Sequence, residues 1–505
     1  MTFKIRSHSA ALLSSLALVS PSLGCGSDGA SEGNNTLEGI GSEDVGDTGG
    51  SMGGGDGDGD GDGDGDGDGT SDGDGDTGDG DGDGDPTGPK FDTLASPDGG
   101  GDACGGGGGN ATLTGTVFAP NGTIPVIGAL VYVSNTEPEG IPDSVYCDEC
   151  IELECGVDFT QTDVNGNFSL STKSGAGKYL VVQKGQFLRV TPIEVAAGVT
   201  DLPDAMVELP GEWNPANGLY IPKIAVANGS YDRIEDALGK FGLGDTVISN
   251  FEESTIPGTQ NFDLWDNGRN PALDGFPSQG SMTQLISDPA QLAKYHIIFV
   301  PCSSDTHSDQ LTPQRIQNIQ DWVAAGGRWY VSDWSNEFMW KVFPEYQNFY
   351  GGTDADLGSY DSLANILDDG LLEWLEALPD PLKDINPLND EFHPTLYQLP
   401  QVMTVDNWSG IQYPLPEILV DDGMGGQVNV GHKAWLEGPG SGGIIGNAIH
   451  PLTVTGQYGC GKIQFTSYHT AEFFDYVGLS PQELVLIYTI LEIGVCQQDF
   501  PPPAG

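Results

Sequence analysis

Residues 295–333 have the sequence YHIIFVPCSSDTHSDQLTPQRIQNIQDWVAAGGRWYVSD and decide the fold of the larger part of the chain. The apolar run at residues 296–301 predicts a buried strand, and a second run at residues 328–333 predicts another. Between them a helix is predicted over residues 312–325, because a Thr-Pro pair opens it and a Gly-Gly pair follows it. A strand, a helix and a second strand in this order are typical of a parallel sheet with helices on its faces.

The same alternation of strands and helices continues on both sides of this stretch. Further strands are predicted at residues 224–227, 247–251 and 462–468, and further helices at residues 231–241 and 480–493. Residues from about 350 to 450 interrupt the pattern and are interpreted as an insertion with one helix near residues 363–378. The pattern predicts an α/β, doubly wound domain over residues 211–505.

A β-rich segment precedes the α/β domain. Short runs that alternate apolar and polar residues predict half-buried strands at residues 112–118, 129–134, 167–171, 179–183 and 187–191. Asn165 and Gly166 form a type I′ hairpin signal, because both central positions of that turn must accept positive φ. Residues 111–210 are therefore predicted to form an all-β sandwich.

The first 24 residues have the pattern of a signal peptide. Lys4 and Arg6 form a basic start, and residues 10–19 form an apolar centre that is too short to span a membrane. The glycine and Cys25 that follow resemble the bacterial lipobox, so Cys25 is predicted to be lipidated. The alternative is ordinary cleavage nearby, which would release a soluble secreted protein. Gly26 in place of an aspartate favours the outer membrane or cell surface, with the lipid anchor as the only membrane contact.

Residues 25–110 form a predicted tether. Asp and Gly alternate strictly over residues 56–68 and again over most of residues 72–85. Glycine is costly to order, aspartates repel one another and nothing apolar is available for burial, so no fixed structure is expected. The formal charge of the chain is −56, and residues 26–109 hold 23 acidic residues against one lysine. Such a chain repels phosphate backbones, so no nucleic-acid partner is predicted and cations or basic partners are favoured.

Four short motifs stand out in the β-rich segment. They are Gly-Thr-Val at residues 115–117, Gly-Ala-Leu-Val-Tyr-Val at 128–133, Thr-Asp-Val-Asn-Gly-Asn-Phe-Ser-Leu at 162–170 and Tyr-Leu-Val-Val at 179–182. Together they resemble the carboxypeptidase regulatory-like (transthyretin-like) domain over nearly the whole segment. The resemblance implies a β-sandwich that serves as a non-catalytic spacer or binding module.

Four motifs also stand out in the α/β part. They are Ile-Ala-Val-Ala-Asn-Gly at residues 224–229, Tyr-His-Ile-Ile-Phe-Val-Pro at 295–301, Trp-Val-Ala-Ala-Gly-Gly-Arg-Trp-Tyr-Val at 322–331 and Gly-Lys-Ile-Gln-Phe-Thr-Ser-Tyr-His at 461–469. They resemble the class I glutamine amidotransferase-like fold, and within it the trehalose-utilisation (ThuA-like) branch. The combination with the preceding module resembles myxobacterial-type lipoproteins.

Candidate reactive residues lie just beyond the ends of three predicted strands. Cys302, Asp333 and His469 occupy these positions, and the carboxyl ends of parallel strands gather at one edge of a sheet. The resemblance places the family's nucleophilic Cys in the turn after Val331, which here holds Ser-Asp-Trp, so glutamine hydrolysis is not carried over. Glu472 follows His469 in a pattern similar to the family's His and Glu, with one extra residue between them.

Two interpretations of these residues stay open. Cys302 and His469 form a nucleophile–base pair, with Asp333, Glu472 and Asp305 nearby, or Cys302 is a buried or disulfide-bonded cysteine and His469 a hydrogen-bonded residue at a strand end. A cleft that gathers these side chains would favour an enzyme, and a filled sheet edge would favour binding or scaffolding.

The remaining cysteines are assigned to disulfides rather than metal. Cys147, Cys150 and Cys155 have a spacing that could supply zinc ligands, but an exported chain favours disulfides, and their connectivity stays open. Cys460 and Cys496 are predicted to pair. A helix of about 15 residues after the strand at 462–468 runs back roughly 22 Å, close to the length of that strand. No metal site and no cofactor are predicted.

The function predicted from these features is a surface-anchored lipoprotein with a non-catalytic binding or scaffold role. The alternative is a hydrolase-like enzyme that works at the carboxyl edge of the α/β sheet. Aromatic residues near the turn after Val331 offer either a platform for a carbohydrate or ordinary core packing; they are Trp329, Tyr330, Trp334, Phe338, Trp340, Phe343 and Tyr346. A carbohydrate or a protein is the predicted class of ligand.

Overall fold

A computed structural model describes most of the chain beyond the tether. The described residues are 101–102, 109–148, 153, 157–250, 252–269, 275–303, 307–351, 357–383, 385, 396–421, 425–440, 445–471 and 476–493. All of them belong to one compact unit. The predicted signal peptide, Cys25 and nearly all of the predicted tether lie outside the described residues.

The β-rich segment forms two sheets. Its strands are β1 (Gly101–Asp102), β2 (Ala111–Thr116), β3 (Leu130–Ser134), β4 (Asp158–Gln161), β5 (Asn167–Thr172), β6 (Gly175–Lys184), β7 (Phe187–Val195), β8 (Gly198–Asp201) and β9 (Leu219–Tyr220). One sheet has the order β1-β4-β3-β6-β7-β9, and the other has the order β5-β2-β8. Leu113 and Phe168 of the smaller sheet share a core with Val131 and Leu180 of the larger one. The β-rich character predicted for this segment is confirmed.

The turn at Asn165 and Gly166 differs from the prediction. Only Gly166 has positive φ, at 76°, and its N–H donates to the carbonyl of Asp163 at 2.9 Å. The carboxylate of Asp163 also accepts hydrogen bonds from the N–H groups of Asn165 and Asn167 at 2.9 and 2.8 Å. The type I′ prediction is wrong, because β4 and β5 leave this turn into different sheets instead of pairing as a hairpin.

The α/β part is built on an eleven-stranded sheet of order β14-β13-β10-β15-β16-β24-β23-β22-β17-β19-β18. The strands in chain order are β10 (Ile224–Asn228), β11 (Thr246–Ser249), β12 (Glu252–Thr255), β13 (Asp263–Asp266), β14 (Ser278–Ser281), β15 (Ile297–Val300), β16 (Arg328–Ser332), β17 (Tyr360–Ile366), β18 (Tyr397–Gln398), β19 (Gln401–Asn407), β20 (Leu419–Asp421), β21 (Gln427–Asn429), β22 (Lys433–Pro439), β23 (Ile449–Tyr458) and β24 (Gly461–Thr466). From β14 to β24 the pairs are parallel, and from β24 to β18 they are antiparallel. The sheet is therefore mixed rather than wholly parallel.

Helices cover both faces of this sheet. They are α2 (Ile234–Leu238), α3 (Met282–Ser287), α4 (Pro289–Leu292), α5 (His307–Gln310), α6 (Pro313–Ala324), α7 (Glu337–Trp340), α8 (Asp369–Ala377) and α9 (Pro481–Ile493), and α1 (Asp204–Val207) lies in the β-rich part. Ile297 and Phe299 of β15 face a core that includes α8 and α9, while Ile298 and Val300 face a core with α3 and α6. The helix α6 begins as predicted, with Thr312 as its N-cap and proline in its first turn.

The predicted insertion extends the sheet. Its strands β17, β19 and β22 continue the antiparallel half, and α8 follows β17 directly. The single helix predicted near residues 363–378 is in fact the end of a strand followed by a helix. The strand predicted at residues 247–251 is also corrected, because β11 and β12 form a separate two-stranded hairpin.

The two folded parts pack directly on each other. The indole N–H of Trp374 in α8 donates to the carbonyl of Pro125 at 2.9 Å. Lys184 of β6 forms an ion pair of 2.6 Å with Glu492 of α9, and both side chains are buried. None of the helices in the described part of the chain is long and apolar enough to cross a membrane.

The pairing of Cys460 differs from the prediction. Cys460 forms a disulfide with Cys147, with 5.2 Å between the two Cα atoms, and Cys496 lies outside the described residues. Cys460 does lie just before β24, at the sheet edge remote from the strand ends. Its partner comes from the strap, residues 141–148, which connects β3 to β4 and crosses to this edge. The predicted Cys460–Cys496 pair is wrong, because Cys460 is bonded to Cys147. The sequence around Cys460 and Cys496 does not indicate that the strap passes close to Cys460.

Candidate functional site

Three side chains from separate strand ends meet in one cluster. Cys302, Asp333 and His469 follow β15, β16 and β24, which are neighbouring parallel strands. One ligand-type atom from each residue lies within 4.8 Å of the others. Three of the candidate residues from the sequence therefore lie together, as expected for residues that follow neighbouring parallel strands. Glu472 and Asp305 lie outside the described residues.

Asp333 lies at the turn from β16 into a short 3-10 helix, Asp333–Asn336. Its φ is 49°, in the left-handed region that few residues other than glycine, asparagine and aspartate adopt. This is the turn in which the resemblance placed the family's nucleophilic Cys. The conformation aims a carboxylate, rather than a thiol, at the edge of the sheet.

Asp333 and His469 form a buried pair. Nε2 of His469 lies 3.0 Å from Oδ2 of Asp333, and Oδ1 accepts a hydrogen bond of 3.1 Å from the backbone N–H of Trp408. Burial raises the pKa of Asp333 to about 6, and the neighbouring imidazole opposes that rise. Although Oδ2 is at ion-pair distance from Nε2, no donor of the described residues is directed at it in hydrogen-bond geometry.

A second buried carboxylate, Asp232, holds the strand ends in place. Its Oδ1 accepts hydrogen bonds of 3.0 Å from the N–H groups of Thr470 and Ala471, and its Oδ2 accepts one of 2.7 Å from the hydroxyl of Ser332. The same hydroxyl accepts a hydrogen bond of 2.9 Å from the N–H of Cys302. Asp232 was missed in the sequence, although it lies only four residues beyond the end of β10.

The cluster is closed to solvent. Cys302 and Asp333 are 0% exposed, and His469 is 1% exposed. The insertion covers it, since Asn407 bridges to Tyr468 and Trp408 stacks on Trp334 with ring centroids 6.4 Å apart. The carboxyl edge of the sheet at this cluster is therefore filled and does not form a cleft, which is the arrangement expected for binding or scaffolding.

Chemically, the cluster has two capacities. A thiol, an imidazole and a carboxylate in contact are the parts of a nucleophile, a base and an orienting group. The same three groups are also metal ligands of the zinc type. The first capacity needs access for a substrate, whereas the second needs access only for an ion.

The aromatic residues near this turn are mostly core. Five of the seven are buried on the sheet or its helices; they are Trp329, Tyr330, Phe338, Phe343 and Tyr346. Trp334 and Trp340 are partly exposed. The core interpretation holds for the buried five, so a broad carbohydrate platform does not exist at these positions.

A separate groove of about 1010 Å³ lies between the two folded parts. Arg189 and Glu208 line it from the β-rich side, and Asp245, Glu253 and Asn261 line it from the α/β side. Its walls are mainly polar, and its lining does not include Cys302, Asp333 or His469. This groove offers a ligand the space that the covered cluster does not.

Comparison with known proteins shows coarse similarity only. A scan of protein-family models and a search of curated proteins gave no match. A solved ThuA-like protein from Bacteroides uniformis is 13% identical, with a TM-score of 0.28 over 44% of this chain and 78% of the other. One from Parabacteroides merdae is 12% identical, with a TM-score of 0.28 over 55% and 93% of the two chains. The β-galactosidase Gan42B from G. stearothermophilus is 9% identical, with a TM-score of 0.26 over 57% and 32%. These values carry no inference about activity.

Proposed function

We propose that the chain is an exported, lipid-anchored surface protein whose folded part binds or displays a ligand without catalysis. The observation that carries this proposal is the covered strand edge, where Cys302, Asp333 and His469 are at most 1% exposed. A substrate must come within hydrogen-bond reach of a nucleophile and its base. Because the insertion occupies that space, the cluster supports the structure and the ligand binds elsewhere.

The groove between the two parts is the proposed ligand site. Its charged and amide side chains suit a polar ligand, such as a carbohydrate or a segment of protein, through several directed hydrogen bonds. Both folded parts contribute to its walls, so their fixed packing would preorganise the site. A chain with a formal charge of −56 further favours a neutral or basic ligand over an anionic one.

The anchor is proposed from the sequence of the first 25 residues. Labelling of growing cells with a palmitate analogue is expected to mark the wild-type chain and not Cys25→Ser. Cell fractionation should then move the Cys25→Ser chain from the membrane to the soluble fraction. Equal labelling and equal fractionation of the two chains would contradict the anchor and leave the ligand site untouched.

A binding screen tests the ligand site. The whole exported chain is screened against a glycan array and basic peptides, and any hit is measured again with Asp245→Arg, which reverses a charge in the groove. Binding is expected to weaken by at least about tenfold, or about 1.4 kcal/mol. Glu194→Arg, at an exposed position of β7 that does not line the groove, makes the same charge change and should leave binding unaltered. Equal loss in both variants would refute the groove as the site.

A second candidate function, hydrolysis, is favoured by one observation, the convergence of Cys302, His469 and Asp333 within 4.8 Å. In that case Cys302 attacks, His469 takes its proton and Asp333 orients the imidazole. A panel of ester, amide and glycoside substrates separates the candidates. Activity that is lost in Cys302→Ser, together with rapid alkylation of Cys302 in the native chain, would establish the enzyme. Absence of both supports the non-catalytic role.

A further inference from the structure

We propose that Cys302, Asp333 and His469 bind one divalent transition-metal ion, and that the ion is zinc. The ion would tie the ends of three neighbouring strands together beneath the insertion. This inference concerns the buried cluster, and it does not depend on the ligand proposed for the groove.

The geometry of the cluster fits a single ion. Zinc binds sulfur at about 2.3 Å and nitrogen or oxygen at about 2.0–2.2 Å, so ligands in a tetrahedral site lie roughly 3.3–3.7 Å apart. The three atoms here lie within 4.8 Å of one another, and the Nε2–Oδ2 distance is already 3.0 Å. A small rotation of the side chains would bring all three to bonding distance.

The environment of Oδ2 of Asp333 favours a cation as a partner. This oxygen lies 3.0 Å from Nε2 of His469, but no donor of the described residues meets it in good hydrogen-bond geometry, although the whole side chain is 0% exposed. A buried carboxylate oxygen that lacks a well-directed donor is costly to the fold. Asp232 is equally buried but receives three hydrogen bonds, from Ser332, Thr470 and Ala471. The contrast shows that this fold satisfies a buried carboxylate where no ion is needed.

The chemistry of the ligands selects the ion. A thiolate, an imidazole and a carboxylate together are a ligand set of zinc, while magnesium and calcium take oxygen ligands almost alone. Cys302 would bind as the thiolate and release its proton to solvent when the ion enters. The charge of the ion would offset the burial of two anionic groups, which apolar surroundings otherwise disfavour.

Metal analysis of the wild-type chain is the first test. The whole chain is exported, dialysed against buffer treated to remove metals, loaded with zinc and washed, and its zinc is then measured by mass spectrometry. About one zinc per chain is expected. Replacement of zinc by cobalt(II) should produce a thiolate-to-metal charge-transfer band in the near ultraviolet, which only a cysteine ligand can cause. A chain without this band would overturn the proposal.

Variants then assign the ligands. Cys302→Ser is expected to abolish the charge-transfer band. His469→Gln is expected to weaken zinc binding by more than about 100-fold, since loss of a residue that only hydrogen-bonds to a metal ligand already costs about 10–100-fold. His450→Gln is the matched control, because His450 is also a buried histidine, beside Tyr360, and lies outside the cluster. It should bind zinc like the wild type.

The acidic tether requires one further control. Its aspartates could hold cations weakly, but without a thiolate band and without sensitivity to Cys302 or His469. Zinc that remains at about one per chain in Cys302→Ser and His469→Gln would show that the ion binds elsewhere and would refute the proposal. If His469→Gln does not fold, the cobalt spectrum of the wild type still decides whether a cysteine is a ligand.

Discussion

Both ring nitrogens of His296 are hydrogen-bonded, and one of these bonds joins the two folded parts. Nδ1 accepts a hydrogen bond of 2.8 Å from the N–H of Lys223, so the proton is on Nε2, which lies 3.0 Å from the carbonyl oxygen of Ser144. Burial, helped by the charges of Arg328 and Lys223, lowers the pKa of His296 to about 4. A second ring proton would face the N–H of Lys223, so the folded chain holds the neutral form.

This tautomer predicts a loss of stability in acid. The pKa of His296 is about 4 in the folded chain and near 6.5 in the unfolded one, so the unfolded chain takes up the proton first as pH falls. The contribution of neutral His296 to the free energy of unfolding is fully present above pH 6.5. It falls by about 3 kcal/mol as the pH drops towards 4. Urea unfolding of the wild type and His296→Gln at several pH values checks this: the wild type should lose more stability. Parallel pH curves would contradict it.

Gly229 supports the position of Cys302 by close contact. A Cβ added there would collide with the carbonyl oxygen of Cys302 and lie 2.7 Å from Cβ of Ser303. Gly229→Ala is therefore expected to lower the free energy of unfolding by about 2–3 kcal/mol. Gly177→Ala is the control, with a φ of 70° and no atom within 4 Å of its added Cβ, and should cost only about 1 kcal/mol of backbone strain. If denaturant unfolding shows the same loss of stability for Gly229→Ala and Gly177→Ala, the backbone near Cys302 moves to accommodate the added Cβ and the close contact at Gly229 does not limit stability.

Residues at strand ends were the most predictable part of the site. Cys302, Asp333 and His469 could be grouped from the sequence because parallel strands end at a common edge. Their burial could not, since it depends on Trp408, about 60 to 110 residues away along the chain. Asp232 was missed because its partners, Ser332 and the backbone after His469, come from other strands.

Among the elements, α9 shows most clearly how the two parts are joined. Its residues from Pro481 to Glu492 are buried on every side, because the helix lies between the β-rich part and the large sheet. Two ion pairs occur along it: Lys240 contacts Glu483 at 3.0 Å, and Lys184 contacts Glu492 at 2.6 Å. Burial raises the pKa of Glu483, so its lysine partner is needed to keep the charged form.

The Lys184–Glu492 pair predicts strong coupling between the parts. Loss of one partner leaves a buried charge, so the single variants Lys184→Met and Glu492→Leu are each expected to cost about 3–5 kcal/mol of unfolding free energy. The double variant Lys184→Met with Glu492→Leu removes both charges and should come within about 1–2 kcal/mol of the wild type. A double-mutant cycle by chemical unfolding measures this. Additive losses would show that the two side chains do not interact across the junction.

The elements that sequence periodicity predicted best are the long apolar strands and helices with clear end signals. Strands β15 and β16 and helices α6 and α9 lie within a residue or two of their predicted bounds, since their apolar runs are long and clearly ended. The strand predicted at residues 247–251 became one arm of the exposed hairpin β11–β12. Alternation alone could not tell a hairpin from a strand of the large sheet, because it carries no information about which strands pair.

At the scale of the whole molecule, the strap fixes the β-rich part to the far edge of the large sheet. The ring of His296 contacts Ser144, Arg328 forms an ion pair of 2.9 Å with Asp148, and Cys147 bonds to Cys460 across 313 residues. These contacts lie at the start of the parallel strands, opposite the Cys302 cluster. The two parts are thus held at the strap and along α9.

The disulfide predicts a large effect on global stability. By the chain-entropy model, closure of a loop of 313 residues contributes on the order of 5 kcal/mol. The double variant Cys147→Ser with Cys460→Ser should therefore unfold at clearly lower denaturant concentration than the wild type. Peptide mapping without reductant should join the peptides that contain these two cysteines. Recovery of Cys460 joined to Cys496 would refute the pairing in the structure.

The sequence by itself determined the two classes of structure, the order of the parts and the residues at the strand ends. These follow from the spacing of apolar residues and from turn and cap residues, which act over a few positions. Only the tertiary structure decided that the sheet is mixed, that Cys460 pairs with Cys147 and that the insertion covers the cluster of Cys302, Asp333 and His469. Each of these depends on contacts between segments tens to hundreds of residues apart, and local periodicity carries no information about which distant surfaces bury each other.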